Sequence, residues 1–127
     1  MVRDLGYFRE LPDGEPDGES LHDAVGRQGE YADELAAYLD GGVWLAISTS
    51  SAPDVLSGND RVAGRRGIRT DGTWWWPGEL GYYVRTYRVA LPAEFAAHAR
   101  SRGWHAPEVS HERLFELEQW SVVGSAE

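Results

Sequence analysis

Gly67-Ile68-Arg69-Thr70-Asp71-Gly72-Thr73-Trp74-Trp75-Trp76-Pro77 holds two strand-like runs joined by Asp-Gly, the dipeptide that turns a two-residue β-hairpin. With Asp71 and Gly72 as the loop, Thr70 faces Thr73, Arg69 faces Trp74, Ile68 faces Trp75 and Gly67 faces Trp76. Opposed residues share a face and neighbours alternate, so Ile68 and Trp75 fall on one side and Arg69, Trp74 and Trp76 on the other. Three large rings in a row cannot all enter one core layer. Two arrangements follow. Either helices cover one face and the N-terminal segment covers the other, or Trp74 or Trp76 stays partly exposed beside Arg69 as an aromatic and arginine anchor of the kind enriched in binding hot spots.

Beyond Pro77-Gly78 the apolar period becomes helical, with Leu80, Tyr83, Val84 and Tyr87 at i, i+3, i+4 and i+7. Leu91-Pro92 opens a second helix, since proline suits a first helical turn; Phe95, Ala96 and Ala99 form its inner face. Gly103 ends it and Trp104 folds back on the end. Ser110 is the expected N-cap of a last helix, His111 to Trp120, with Leu114, Leu117 and Phe115 as candidates for burial. Residues 121–127 are expected to fray.

On the N-terminal side, Val43-Trp44-Leu45-Ala46-Ile47-Ser48-Thr49 is an apolar run of strand length, consistent with a central strand covered on both faces. Ser50 to Asp60 is a turn-rich connection. Before the run, Tyr31, Leu35, Tyr38 and Leu39 recur at helical spacing between Gly29 and Asp40, with Gly41-Gly42 as the stop. The opening Leu5 to Leu11 suits a short strand, and the repeated Pro-Asp-Gly-Glu of residues 12–20 is expected to be an exposed, mobile loop. Together these elements give an α+β class: one N-terminal helix, a small mostly antiparallel sheet with the Trp-rich hairpin, and two or three C-terminal helices, in one domain over residues 1–127.

Composition narrows the chemistry. The chain has 127 residues and no cysteine, which excludes disulfides, thiolate catalysis, Cys-ligated zinc and iron–sulfur clusters, and fits a reducing cytoplasm. All twelve basic residues are arginine, so no lysine is present for a Schiff base or a Walker-type phosphate grip. The opening lacks an apolar signal segment, and no run approaches the ~20 residues of a membrane span. A soluble, cytoplasmic protein without membrane contact is expected. The net charge of −9 is uneven: residues 1–60 hold thirteen acids against three arginines, whereas residues 61–127 hold eight against nine. Direct nucleic-acid binding is disfavoured, because it depends on neutralising phosphates, while an acidic half can meet a basic partner through complementary fields.

Catalytic patterns are sparse. His22, His98, His105 and His111 form no His-x-x-x-His pair, and neither Ser48 to Ser51 nor Ser57 lies in a Gly-x-Ser-x-Gly setting. No catalytic residue, metal site or cofactor is assigned. Arg61, Arg65, Arg66 and Arg69 cluster on and before the first hairpin strand, where they either grip an anion or pair internally with the N-terminal carboxylates.

From Arg69 to Phe95 the chain resembles the core of a group of small uncharacterised actinobacterial proteins. Their pattern of Asp-Gly, Trp-x-Trp-Pro, Leu-x-Tyr-Tyr-Val and Leu-Pro-x-Glu-Phe is matched here by Asp71-Gly72, Trp74-Trp75-Trp76-Pro77, Leu80-Gly81-Tyr82-Tyr83-Val84 and Leu91-Pro92-Ala93-Glu94-Phe95. The match covers residues 67–104, and more loosely residues 6–10 and 20–23; it implies a shared fold and no particular activity. In size, charge and architecture the chain is also similar to immunity proteins that neutralise polymorphic toxins. The expected function is therefore a non-enzymatic, acidic protein-binding domain, an immunity-type inhibitor of a basic toxin or other basic partner. Asp13, Glu15, Asp17, Glu19, Arg69, Trp74, Trp75 and Trp76 are its contact candidates. The alternative is a small enzyme or ligand-binding domain with an aromatic pocket between the hairpin and the C-terminal helices, lined by Arg69 and His98 or His105.

Overall fold

The Asp-Gly hairpin forms, with its loop displaced by one residue. The computed structural model describes residues 3–126, with side chains through residue 119. Among these the order is β1 (Arg3–Asp4), α1 (Leu21–Ala24), α2 (Ala32–Asp40), β2 (Val43–Pro53), β3 (Val62–Thr70), β4 (Trp74–Pro77), α3 (Leu80–Tyr87), α4 (Ala93–Ser101) and α5 (His111–Ala126). In the β3–β4 pair Thr70 opposes Trp75, Arg69 opposes Trp76 and Ile68 opposes Pro77, so the expected register is corrected and Gly72-Thr73 make the turn. The cause is the Asp71 side chain. Its Oδ1 accepts the N–H groups of Thr73 (2.9 Å) and Trp74 (2.8 Å), an Asx-type turn, while Gly72 takes a φ of 94° that suits glycine. Each partner moves by two positions, an even number, so the alternation of faces survives the correction.

The sheet is mixed, in the order β1-β4-β3-β2, with β1 parallel to β4 and the other two pairings antiparallel. With its helices it makes an α+β fold. β2 is an edge strand, which corrects the expectation of a central one. Only Leu45 and Ala52 along it are buried, and Ile47 is 54% exposed. The apolar run misled because its largest ring is covered from within the sheet: the Arg69 guanidinium lies 4.0 Å over Trp44. The strand also runs past the expected turn to Pro53, with register shifts at Leu45 and over residues 48–50, irregularities of the kind that blunt an exposed edge.

Helices α2, α3 and α4 supply most of the core. Leu35, Tyr38 and Leu39 of α2, Leu80, Tyr83 and Val84 of α3, and Phe95 and Ala99 of α4 are fully buried, as their spacing requires. Tyr31 departs from this stripe. It precedes α2 with a φ of 63° and stacks on Trp104 at 5.0 Å between ring centroids. The end of α4 is a Schellman closure: Trp104 N–H donates to the Ala99 carbonyl and Gly103 N–H to that of Arg100. Ser110 caps α5 by accepting the Arg113 N–H at 3.1 Å. Leu117 is buried and Leu114 partly so, but Phe115 is 63% exposed and leaves the expected core. α5 continues beyond the expected end at Trp120, through Ala126. The fraying expected over residues 121–127 falls on a segment that is helical through Ala126, and residue 127 lies outside the described residues. No helix among the described residues is long and apolar enough to cross a membrane.

Candidate partner-binding face

The acidic loop of residues 12–19 is tied at several points. Gly14 N–H donates to the Leu11 carbonyl (3.0 Å), Glu15 to Tyr7 (3.1 Å), Gly18 to Glu15 (2.9 Å) and Arg9 to Glu19 (3.1 Å). Below it, Glu10 accepts the Ser20 hydroxyl at 2.5 Å and the Leu21 N–H at 2.7 Å, while Leu11, Ser20 and Leu21 are buried. The turn-forming residues thus build a loop with a hydrogen-bonded backbone and exposed acids. Asp13, Glu15, Asp17 and Glu19 are all exposed, as are Asp4 and Asp23 on neighbouring segments.

These acids differ in their partners. Asp13 receives Arg66 through two nitrogens, Nη2 at 2.7 Å and Nε at 3.3 Å, so this arginine pairs internally, one of the two alternatives for its cluster. Asp4, Glu15, Asp17, Glu19 and Asp23 make no side-chain hydrogen bond or ion pair among the described residues. Three of them, Asp4, Glu15 and Glu19, line a cleft of about 210 Å³ together with Leu5, Tyr7, Phe8 and the Ala90-Leu91-Pro92 segment. Leu5, Phe8 and Leu91 belong to the hydrophobic core, so the lining joins core residues to exposed acids. Nothing in the sequence periodicity placed Asp4, Tyr7 or Leu91 at a site. They meet because β1 pairs parallel with β4 through Arg3 N–H to Thr73 O and Leu5 N–H to Trp75 O, a long-range contact with no local signature.

The hairpin aromatics are elsewhere. Trp74 and Trp76 are 4% and 0% exposed, and both make edge-on contacts with Phe95 at 5.3 and 5.5 Å. Trp76 also donates its Nε1–H to the Leu39 carbonyl at 3.1 Å. Both leave the contact set, because a partner reaches neither ring without unfolding the core. Trp75 is half-buried. Arg69 is partly buried, donating Nη1 to the Gly42 carbonyl at 2.6 Å, and holds the sheet together through Trp44. No exposed anchor forms beside Trp74 or Trp76.

Three buried acids were not singled out by the sequence. Asp71 accepts Thr73 and Trp74 N–H on Oδ1, and the Tyr38 hydroxyl (2.6 Å) and His98 Nε2 (2.8 Å) on Oδ2. Burial pushes its carboxyl up, but these hydrogen bonds outweigh burial and hold it below the ordinary carboxylate range. All four acceptor directions of the carboxylate are occupied, so it anchors the turn to α2 and α4 and retains no capacity to take a substrate proton. Asp54 behaves alike: it accepts the Tyr82 and Tyr87 hydroxyls at 2.6 Å each and the N–H groups of Leu56 and Ser57. Burial is again overcome and the carboxyl is held low, while the Tyr87 hydroxyl, hydrogen-bonded to it, is pushed up to about 12. Glu79 is the opposite case. It is 2% exposed, its Oε1 has no partner among the described residues, and burial pushes its carboxyl up.

Of the histidines, His22, His105 and His111 are exposed, and only His98 enters a polar cluster. The cleft includes none of Arg69, His98 or His105. Among the described residues no three His, Asp or Glu side chains are grouped to hold a metal ion. Comparison with protein-family models, with curated proteins and with solved structures returned no match.

Proposed function

We propose that this chain is a non-enzymatic binding domain that docks a basic protein partner on its N-terminal acidic face, in the manner of an immunity-type inhibitor. The observation that carries this is the set of unpaired carboxylates on the N-terminal segment, Asp4, Glu15, Asp17, Glu19 and Asp23, of which Asp4, Glu15 and Glu19 line a cleft together with core residues. Several other acids pair with the chain's own arginines: Asp13 with Arg66, Asp33 with Arg88, Asp40 with Arg85 and Glu94 with Arg3. An acidic surface rich in unpaired carboxylates steers a basic protein and raises its association rate. A standard interface takes about 800 Å² from each partner, a small part of the 7279 Å² surface.

The test is binding to two small basic probes, cytochrome c and lysozyme, measured by interferometry at low and moderate salt. The expected result is salt-sensitive binding that is lost in Glu15→Lys/Asp17→Lys/Glu19→Lys. Binding of both probes unchanged by charge reversal would overturn the reading.

A further inference from the structure

We propose that the cleft is a receptor for a single arginine side chain carried by that basic partner; the inference rests on the docking reading above and names the group the face admits. Its size sets the first limit. At about 210 Å³ it falls below the ~300–1,000 Å³ typical of small-molecule pockets and suits one long side chain. Leu5, Phe8, Ala90, Leu91 and Pro92 present carbon to an aliphatic stem, the part of an arginine that packs on apolar surface while its charged end stays at the mouth.

The mouth is the second limit. Asp4, Glu15 and Glu19 border one opening, and none has an ion-pair partner among the described residues. The nearest arginines in sequence are committed elsewhere. Arg3 gives Nη1 and Nη2 to the two oxygens of Glu94 at 2.6 and 2.9 Å, and Arg9 lies beside Glu10 at 3.9 Å. Three like charges at one opening repel, and an incoming cation relieves that repulsion. Tyr7, in the wall, lies in the field of several acids: burial pushes its hydroxyl pKa up, with further upward pushes from Asp4, Glu79, Asp13 and Glu15. It therefore stays protonated.

Guanidinium fits better than ammonium for physical reasons. It is planar, carries five donors for several acceptors, is more weakly hydrated on entering a carbon-lined space, and stacks on aromatic rings such as the partly exposed Tyr7. The test is a titration of the ¹⁵N-labelled full chain with N-acetyl-arginine amide, with the N-acetyl-lysine and N-acetyl-norleucine amides as controls. Saturable shifts are expected at Leu5, Gly6, Tyr7, Gly18 and Leu91, with lysine weaker by roughly threefold or more and norleucine silent. Ala90→Met, which fills the cleft and keeps every carboxylate, should abolish the shifts. Asp4→Asn/Glu15→Gln/Glu19→Gln, which keeps the shape, should weaken them by roughly tenfold, so the test survives a misfolded filling variant. Equal responses to lysine and arginine, or non-saturating shifts spread over Asp17 and Asp23, would overturn the arginine assignment. Those outcomes leave the acidic face intact as a docking surface, whereas loss of that reading shows only in the charge-reversal experiment with the basic probes.

Discussion

The carboxylate of Asp71 accepts from two backbone amides, a tyrosine and a histidine, so removing it strands several donors in the interior at once. Asp71→Ala should cost on the order of 3–5 kcal/mol in urea unfolding. Because the folded pKa is depressed, this contribution is fully present above the unfolded value of about 3.9 and is lost as pH falls through the folded value. The fall in stability between about pH 4 and 2 should accordingly be shallower in Asp71→Asn than in the parent. Glu79 carries the reverse sign. Its raised folded pKa gives stability that is complete below the unfolded value and lost as pH rises through the folded one. Glu79→Gln should gain on the order of 1 kcal/mol at pH 7 and nothing at pH 4, read by thermal melts at both values. Neither role is visible in the sequence, where Asp71 looks like an ordinary turn aspartate and Glu79 like a favourable acid at the start of a helix. Each depends on what the rest of the chain stacks above it.

At the level of elements, periodicity located α2, α3 and α4 because each buries a stripe, and a stripe is a local pattern. The hairpin was legible for the same reason, up to the one-residue displacement imposed by the Asp71 side chain. β2 was not. A continuous apolar run is equally consistent with a central strand and with an edge strand whose tryptophan is roofed by an arginine from its neighbour, and only the pairing partners decide. α5 shows the limit within a single turn, since Leu114, Phe115 and Leu117 are all apolar and only Leu117 is fully buried. Leu117→Ala should destabilise by about 2–5 kcal/mol, while Phe115→Ala should stay within about 0.5 kcal/mol, both by chemical denaturation. Gly42 is fixed by the same packing: a Cβ there would stand 2.5 Å from the Trp76 ring.

For the whole molecule, the acidic half of the candidate site was legible from charge counts, which require no structure. The cleft was not, because its walls come from the first strand and from the segment between α3 and α4, some eighty positions apart in the chain. Trp74 and Trp76 were drawn toward the surface by their rarity and returned to the interior by α4, whose Phe95 meets both. The Asp71 carboxylate has a further consequence, for time rather than stability. Its partners Tyr38 and His98 lie 33 and 27 residues away, so two long loops must close before the bonds can form. Tyr38→Phe should therefore hasten unfolding in stopped-flow measurements and leave the refolding rate nearly unchanged, the mark of a contact completed only after the transition state.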